Sequence, residues 1–241
     1  MSDGGRARWW ADPAAIVELF AWVNLSFLAV DTYVAHSVNL FAEWQEWVPV
    51  AYSTLASVAL AVALIGSRLR PSRRGWAWWL GMGVGVSSVG VGVWGMVLHL
   101  DSQFFVEQTL ENLVYTAPVA APLAYTGLGL LVMMTRMVDP DSVEWAKWVV
   151  LLAWGGWVGN FVLALADHAQ NGFFNPLEWV AVIAAAIAVG VLIVPMVIRV
   201  RRGYIWLALA VMVVQAGVGT LGFVLHGWAN LEGPADSLWD N

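Results

Sequence analysis

Seven long apolar segments joined by short polar connections constrain this chain more than any other feature of its sequence. They fall at about residues 14–36, 47–66, 76–99, 112–135, 145–167, 177–198 and 204–226. Each has about the 20 residues that a helix needs to cross the hydrocarbon core of a bilayer, where a helix satisfies all of its own backbone hydrogen bonds. We therefore predict an all-α, polytopic membrane protein with seven transmembrane helices in a single domain, 1–241.

The composition is typical of this class of protein. Hydrophobic residues make up 60% of the chain and charged residues only 12%, which is more apolar surface than a soluble domain of this size needs. The chain has no cysteine, so disulfides and thiolate metal sites are excluded. We expect the lipid bilayer, and possible further membrane subunits, as its surroundings and partners, and no nucleic acid.

The distribution of charge predicts the orientation in the membrane. If the N-terminus is inside, all eleven basic residues fall on the cytoplasmic side: Arg6, Arg8, Arg68, Arg70, Arg73, Arg74, Arg136, Lys147, Arg199, Arg201 and Arg202. Eleven of the seventeen acidic residues fall at or near the outer ends: Asp31, Glu43, Glu46, Asp101, Glu107, Glu111, Asp167, Glu178, Glu232, Asp236 and Asp240. The positive-inside rule then predicts an N-in/C-out, multi-pass protein of a cell membrane, most simply a bacterial inner membrane.

Two passages of the chain repeat in the same order. Residues 36–50 and 168–182 match at 7 of 15 positions, and residues 90–99 and 217–226 match at 7 of 10. The two offsets, 132 and 127 residues, are nearly equal. We therefore predict an internal duplication in which helices 1–3 correspond to helices 5–7, with helix 4 as the joint between them.

An offset of four spans preserves direction through the membrane, so the repeats are expected to be related by a pseudo-two-fold axis along the membrane normal. The predicted divisions are a first repeat at 1–111, a linking helix at 112–138, a second repeat at 139–228 and an acidic outer tail at 229–241. The duplication makes His36 equivalent to His168, His99 to His226, and Glu46 to Glu178.

Each of the four histidines ends an odd-numbered span. His36, His99, His168 and His226 lie at nearly the same depth, close to the outer membrane interface. Imidazole is the commonest metal ligand, and carboxylates from nearby loops can complete a coordination shell. We therefore predict that the four histidines bind metal.

The glutamates of the repeated passages are open to two interpretations. Glu46 and Glu178 are either additional metal ligands or bases, or residues of the first helical turn that interact favourably with the helix dipole. Four further polar residues are candidates for orienting the imidazole rings as second-shell partners: Asn39, Asn171, Asp101 and Asp167.

Glycines precede two of the histidines at helical spacing. Gly92 and Gly95 share a helical face with His99, and Gly219 and Gly222 share one with His226. Each glycine pair forms a groove beneath its histidine. Such a groove either lets two helices approach closely or receives a flat ligand such as a porphyrin.

Three functions fit these features. The first is an outward-facing four-histidine centre of iron, copper or zinc, acting in redox chemistry on a lipid-soluble substrate such as a quinone, as in a membrane oxidoreductase. The second is an electron-transfer protein in which the histidines form two bis-imidazole pairs on b-type haem. The third is a transporter or an assembly subunit of a membrane complex, with no bound metal. An optical spectrum and metal analysis separate the three.

Overall fold

The computed structural model of the protein describes residues 12–69 and 75–231, with side chains described as far as residue 228, and this part of the chain is helical with no strand. The helices are α1 (Pro13–Ser37), α2 (Trp47–Leu69), α3 (Trp76–Asp101), α4 (Leu110–Tyr115), α5 (Leu123–Met137), α6 (Val143–Gln170), α7 (Glu178–Val197) and α8 (Arg202–Leu231), with a 3₁₀ turn at Trp44–Glu46. Predictions at Arg6, Arg8, Arg70, Arg73, Arg74, Glu232, Asp236 and Asp240 concern residues outside the described ranges.

Six of the helices are long and apolar enough to cross a membrane, namely α1, α2, α3, α6, α7 and α8. Their bounds lie within a few residues of six of the predicted spans. Local capping explains two of the starts. The Asp12 carboxylate accepts hydrogen bonds from the first-turn amides of α1, and the Ser142 hydroxyl accepts one from the amide of Trp145 in α6. The chain is a helical, multi-pass membrane protein.

The prediction of one continuous helix over 112–135 is wrong. The chain there forms the short α4, an irregular stretch at 116–122, and then α5, which has 15 residues. Pro118 and Pro122 account for the break, because proline has no amide hydrogen to donate and disfavours helical geometry at the residue before it. Apolar composition alone did not reveal the interruption.

The irregular stretch, which we call the linking segment (residues 116–122), is held by the ends of two long helices. The Thr116 hydroxyl donates to the carbonyl of His99 and pairs with the Ser102 hydroxyl at 2.8 Å. The amide of Ala117 donates to the same Ser102 hydroxyl at 3.1 Å. Just before it, the Gln170 side chain donates to the carbonyl of Val114 at 2.7 Å. Non-helical backbone inside a membrane protein persists only where such partners satisfy it.

The apolar core lies mainly among α1, α2, α3 and α5. Its buried members include Leu25, Leu60, Val84, Tyr125 and Val132, and Trp145 of α6 joins them. At the opposite end of the bundle from the histidines, Arg136 of α5 forms an ion pair with Glu18 of α1 at 2.7 Å, with side chains only 6% and 16% exposed. The core and this ion pair bind α5 to the first three helices.

A polar contact joins α2 to α3, and another joins α7 to α8, at positions that the predicted duplication would make equivalent. Between α2 and α3, the hydroxyl of Tyr52 lies 2.7 Å from that of Ser88. Between α7 and α8, the Gln215 amide donates to the carbonyl of Ala184 at 2.7 Å. With the offsets of 132 and 127 residues, Tyr52 corresponds to Ala184 and Ser88 to Gln215. The longer polar side chain is therefore on α2 (Tyr52) in the one contact and on α8 (Gln215) in the other.

Candidate metal centre

The four histidines lie near the C-terminal ends of α1, α3, α6 and α8, and their rings form two pairs. The ring centroids of His36 and His99 are 6.4 Å apart, with an interplanar angle of 81°. Those of His168 and His226 are 6.3 Å apart, with an interplanar angle of 14°. Each pair joins the first and third long helices of one half, which pack mainly through the second helix rather than against each other.

Within the described residues, no three His, Asp or Glu side chains are grouped closely enough to hold a metal ion together. The histidines are therefore arranged as two separate ring pairs, and not as a single four-ring cluster.

In the first pair, the linking segment fixes one ring. The Nδ1 atom of His99 lies 2.9 Å from the carbonyl oxygen of Pro118. Because a carbonyl only accepts hydrogen bonds, Nδ1 carries the proton and donates it. The Nε2 atom of His99 is then the one available as a ligand.

In the second pair, the group beside the Nδ1 atom of one ring is a carboxylate. The Nδ1 atom of His168 lies 3.6 Å from Oε2 of Glu178, and the two side chains are 11% and 12% exposed. The other oxygen of Glu178 accepts a hydrogen bond from the amide of Asn175 at 3.3 Å. Glu178 is thus a cap of the turn before α7, as one of the two interpretations of the sequence predicted, and it is also a neighbour of the His168 ring. Its role as a metal ligand or base stays a prediction.

Glu46, the counterpart of Glu178, is placed differently. It forms no ion pair with His36 in the described part of the chain, although its Oε2 atom, like that of Glu178, is buried without a hydrogen-bond partner. The four residues proposed to orient the rings do not do so. Across residues 12–69 and 75–228, no side chain of Asn39, Asn171, Asp101 or Asp167 hydrogen-bonds to an imidazole.

The loops after His36 and His168 have closely similar geometry. Phe41 and Phe173 both have a positive φ of 51°. Their rings stack on Trp47 at 3.9 Å and on Trp179 at 4.0 Å. The amide of each Phe also donates to the carbonyl of the preceding histidine, at 3.3 Å and 3.1 Å. The sequence analysis assigned these phenylalanines no role, and their contacts place them against the histidine rings.

The glycine grooves differ between the halves. A Cβ atom on Gly92 would lie 2.6 Å from the amide nitrogen of Thr126, and one on Gly95 would lie 2.9 Å from the Pro122 side chain, so α5 already fills the first groove. At Gly219 and Gly222, no described atom lies within 4 Å of such a Cβ. The glycines of α3 therefore serve close helix packing, and the interpretation of Gly92 and Gly95 as a ligand groove is wrong because a helix occupies that space.

A cavity of about 280 Å³ lies beside the second histidine pair. It is lined by residues 113, 114 and 116–120, by the C-terminal part of α6 and by both His168 and His226. Pro118 therefore contacts the His99 ring and also borders the cavity of the other pair. The linking segment therefore lies between the two histidine pairs. In the sequence, only its two prolines, Pro118 and Pro122, distinguish it from the apolar residues around it.

Comparisons with known proteins return no match: no family model, no curated protein and no solved structure resembles this chain closely enough to report.

Proposed function

We propose that the protein is a membrane electron-transfer protein with two b-type haems, one held by His36 and His99 and the other by His168 and His226. The observation that carries this proposal is the ring separation of 6.4 Å in one pair and 6.3 Å in the other.

The separation fits two imidazoles on opposite sides of one metal ion. Half of 6.4 Å is 3.2 Å. Subtracting about 1.2 Å from the ring centroid to its nitrogen leaves about 2 Å, the usual metal–imidazole bond length. Two imidazoles at a tetrahedral angle on one ion would instead bring their centroids to about 5 Å. The two imidazoles of each pair would hold haem iron.

The second pair borders a cavity whose volume is close to the lower end of the range for ligand pockets. The cavity of about 280 Å³ reaches both rings, and Gly219 and Gly222 of α8 are not covered by another described element. Ligand pockets generally begin at about 300 Å³. For the first pair, the fit rests on the separation of the two rings alone.

The proposal includes the duplication and the topology predicted from the sequence. In this proposal α5 is the seventh span, the N-terminus is cytoplasmic, and helices α1–α3 correspond to α6–α8. Three observations support the duplication. The Phe–Trp stacks and the ring separations are nearly the same in the two halves. A polar contact also joins α2 to α3 and α7 to α8 at corresponding positions, with the longer polar side chain on α2 in one case and on α8 in the other. The positive-inside pattern supports the orientation and a place in a bacterial inner membrane.

Haem would supply one-electron redox chemistry at both sites. The protein's own residues position the ligands: the carbonyl of Pro118 fixes His99, Glu178 faces His168, and the two loop phenylalanines pack against His36 and His168. A lipid-soluble carrier such as a quinone, or a redox subunit in the same membrane, is the proposed exchange partner.

The test is an optical spectrum of the full chain purified in detergent, together with metal analysis. A Soret band, α bands on reduction and about two irons per chain are expected. One equivalent of copper, zinc or non-haem iron would overturn the haem proposal in favour of a histidine metal centre. A protein without metal, purified after haem-supplemented expression, would favour the transporter or assembly role.

A further inference from the structure

The two histidine pairs differ in the group that faces Nδ1 of one ring. In the first pair this group is the neutral carbonyl of Pro118, at 2.9 Å from His99. In the second pair it is the carboxylate of Glu178, at 3.6 Å from His168. The two rings are also not equivalent in the duplication, since His168 corresponds to His36. The pairs therefore have similar ring spacing and different electrostatic surroundings.

The Glu178 carboxylate is well placed to act on the ring. Its side chain is 12% exposed, and one oxygen is fixed by the amide of Asn175. The other oxygen, Oε2, is buried and has no hydrogen-bond partner in the described part of the chain. No Lys or Arg of the described residues forms an ion pair with Glu178. Its negative charge therefore acts most directly on the imidazole that faces it.

A carboxylate beside the outer nitrogen of a coordinating imidazole makes that imidazole a stronger donor to its metal. Stronger donation stabilises the oxidised metal and lowers its reduction potential, which hydrogen bonding around haem ligands is known to tune. A neutral carbonyl also lowers the reduction potential, but by less, because it carries no full charge.

We infer that Glu178 is a positioning residue that makes the His168/His226 centre the lower-potential centre of the two. This inference depends on the proposed function, since it concerns the potentials of the two proposed haems. It gives the two centres an order: electrons would pass downhill from the His168/His226 centre to the His36/His99 centre.

The experiment uses two single-centre proteins, each the full chain in detergent, followed by optical redox titration. His99→Ala leaves only the second centre, and His226→Ala leaves only the first. The His99→Ala protein is expected to have the lower midpoint potential. Adding Glu178→Gln to it should raise that potential, and adding Glu178→Gln to the His226→Ala protein should change nothing. The Gln side chain can still accept from the Asn175 amide, so the turn before α7 is retained.

Glu46→Gln is the matched control, because Glu46 is the sequence counterpart of Glu178 and forms no ion pair with His36 among the described residues. It should leave both potentials unchanged. Equal or reversed potentials in the two single-centre proteins would overturn the inference, even if Glu178→Gln reduces haem content. An unchanged potential in His99→Ala/Glu178→Gln would overturn it as well. A wild-type protein that binds no haem would instead overturn the proposed function, and this inference with it.

Discussion

Helix α5 lies on α3 and covers Gly92 and Gly95, whereas in the described residues no helix covers the equivalent Gly219 and Gly222 of α8. The first half consequently has a four-helix core, and the second half buries little beyond Trp145, one face of α7 and Gln215. Even so, the ring pairs have nearly the same separation, 6.4 Å and 6.3 Å. The ring separation therefore depends on the three long helices of each half and not on α5, whereas the interplanar angles differ, 81° and 14°. Helix α5 adds packing to one half only.

The strongest test of this comparison removes one ring from each half in turn. His99→Ala and His226→Ala should each lower the haem content from about two per chain to about one, because each haem needs both of its axial ligands. Membrane insertion should be unaffected, since it depends on the apolar helices. Haem absorbance per protein is the measurement. Loss of both haems in either variant would contradict two independent pairs.

The ion pair at the other end of the bundle belongs only to the better-packed half. Glu18→Ala should destabilise the protein by about 3–5 kcal/mol, because it leaves the buried Arg136 charge unpaired. Equilibrium unfolding in detergent is the measurement. The double variant Glu18→Leu/Arg136→Leu, which removes both charges, should recover most of the loss. If the single variant were as stable as wild type, this contact would not be what holds α1 against α5.

The glycines provide a direct comparison of the two halves. Gly92→Ala should cost about 1–3 kcal/mol, because its methyl group would collide with the backbone of Thr126 and Pro122. Gly219→Ala should stay within about 0.5 kcal/mol in the haem-free protein. The difference in melting temperature between the two variants measures the effect of α5. Equal destabilisation would mean that α8 is covered by an element outside the described residues or by another chain.

The smallest expected effect concerns the Phe–Trp stack, whose geometry is nearly the same in the two halves. Trp47→Leu and Trp179→Leu should each cost about 0.5–1.5 kcal/mol beyond lost burial, because each removes a stacked contact with the loop phenylalanine. The two losses, measured by thermal unfolding, should be nearly the same. A large difference would show that the two loops are not energetically equivalent despite their matching geometry.

Much of this architecture is readable from the sequence, and the exceptions have physical causes. Six long helices lie close to their predicted positions because hydropathy is averaged over about 20 residues. The break near Pro118 was missed because two prolines scarcely alter that average. Asp101 and Asp167 were proposed to orient rings because of their sequence proximity, yet Pro118, 19 residues from His99, takes that position on one of them.

The sequence by itself determined the class of protein, the boundaries of most helices and the position of every histidine near one end of a helix. These properties depend on local composition and on the helical repeat, which any stretch of chain reveals without its neighbours. Only the tertiary structure decided that His36 meets His99 and His168 meets His226, that α5 fills one glycine groove, and that Glu178 faces a ring while Glu46 does not. These outcomes depend on how each helix is rotated and tilted against the others, which is set by side-chain packing between residues far apart in the chain.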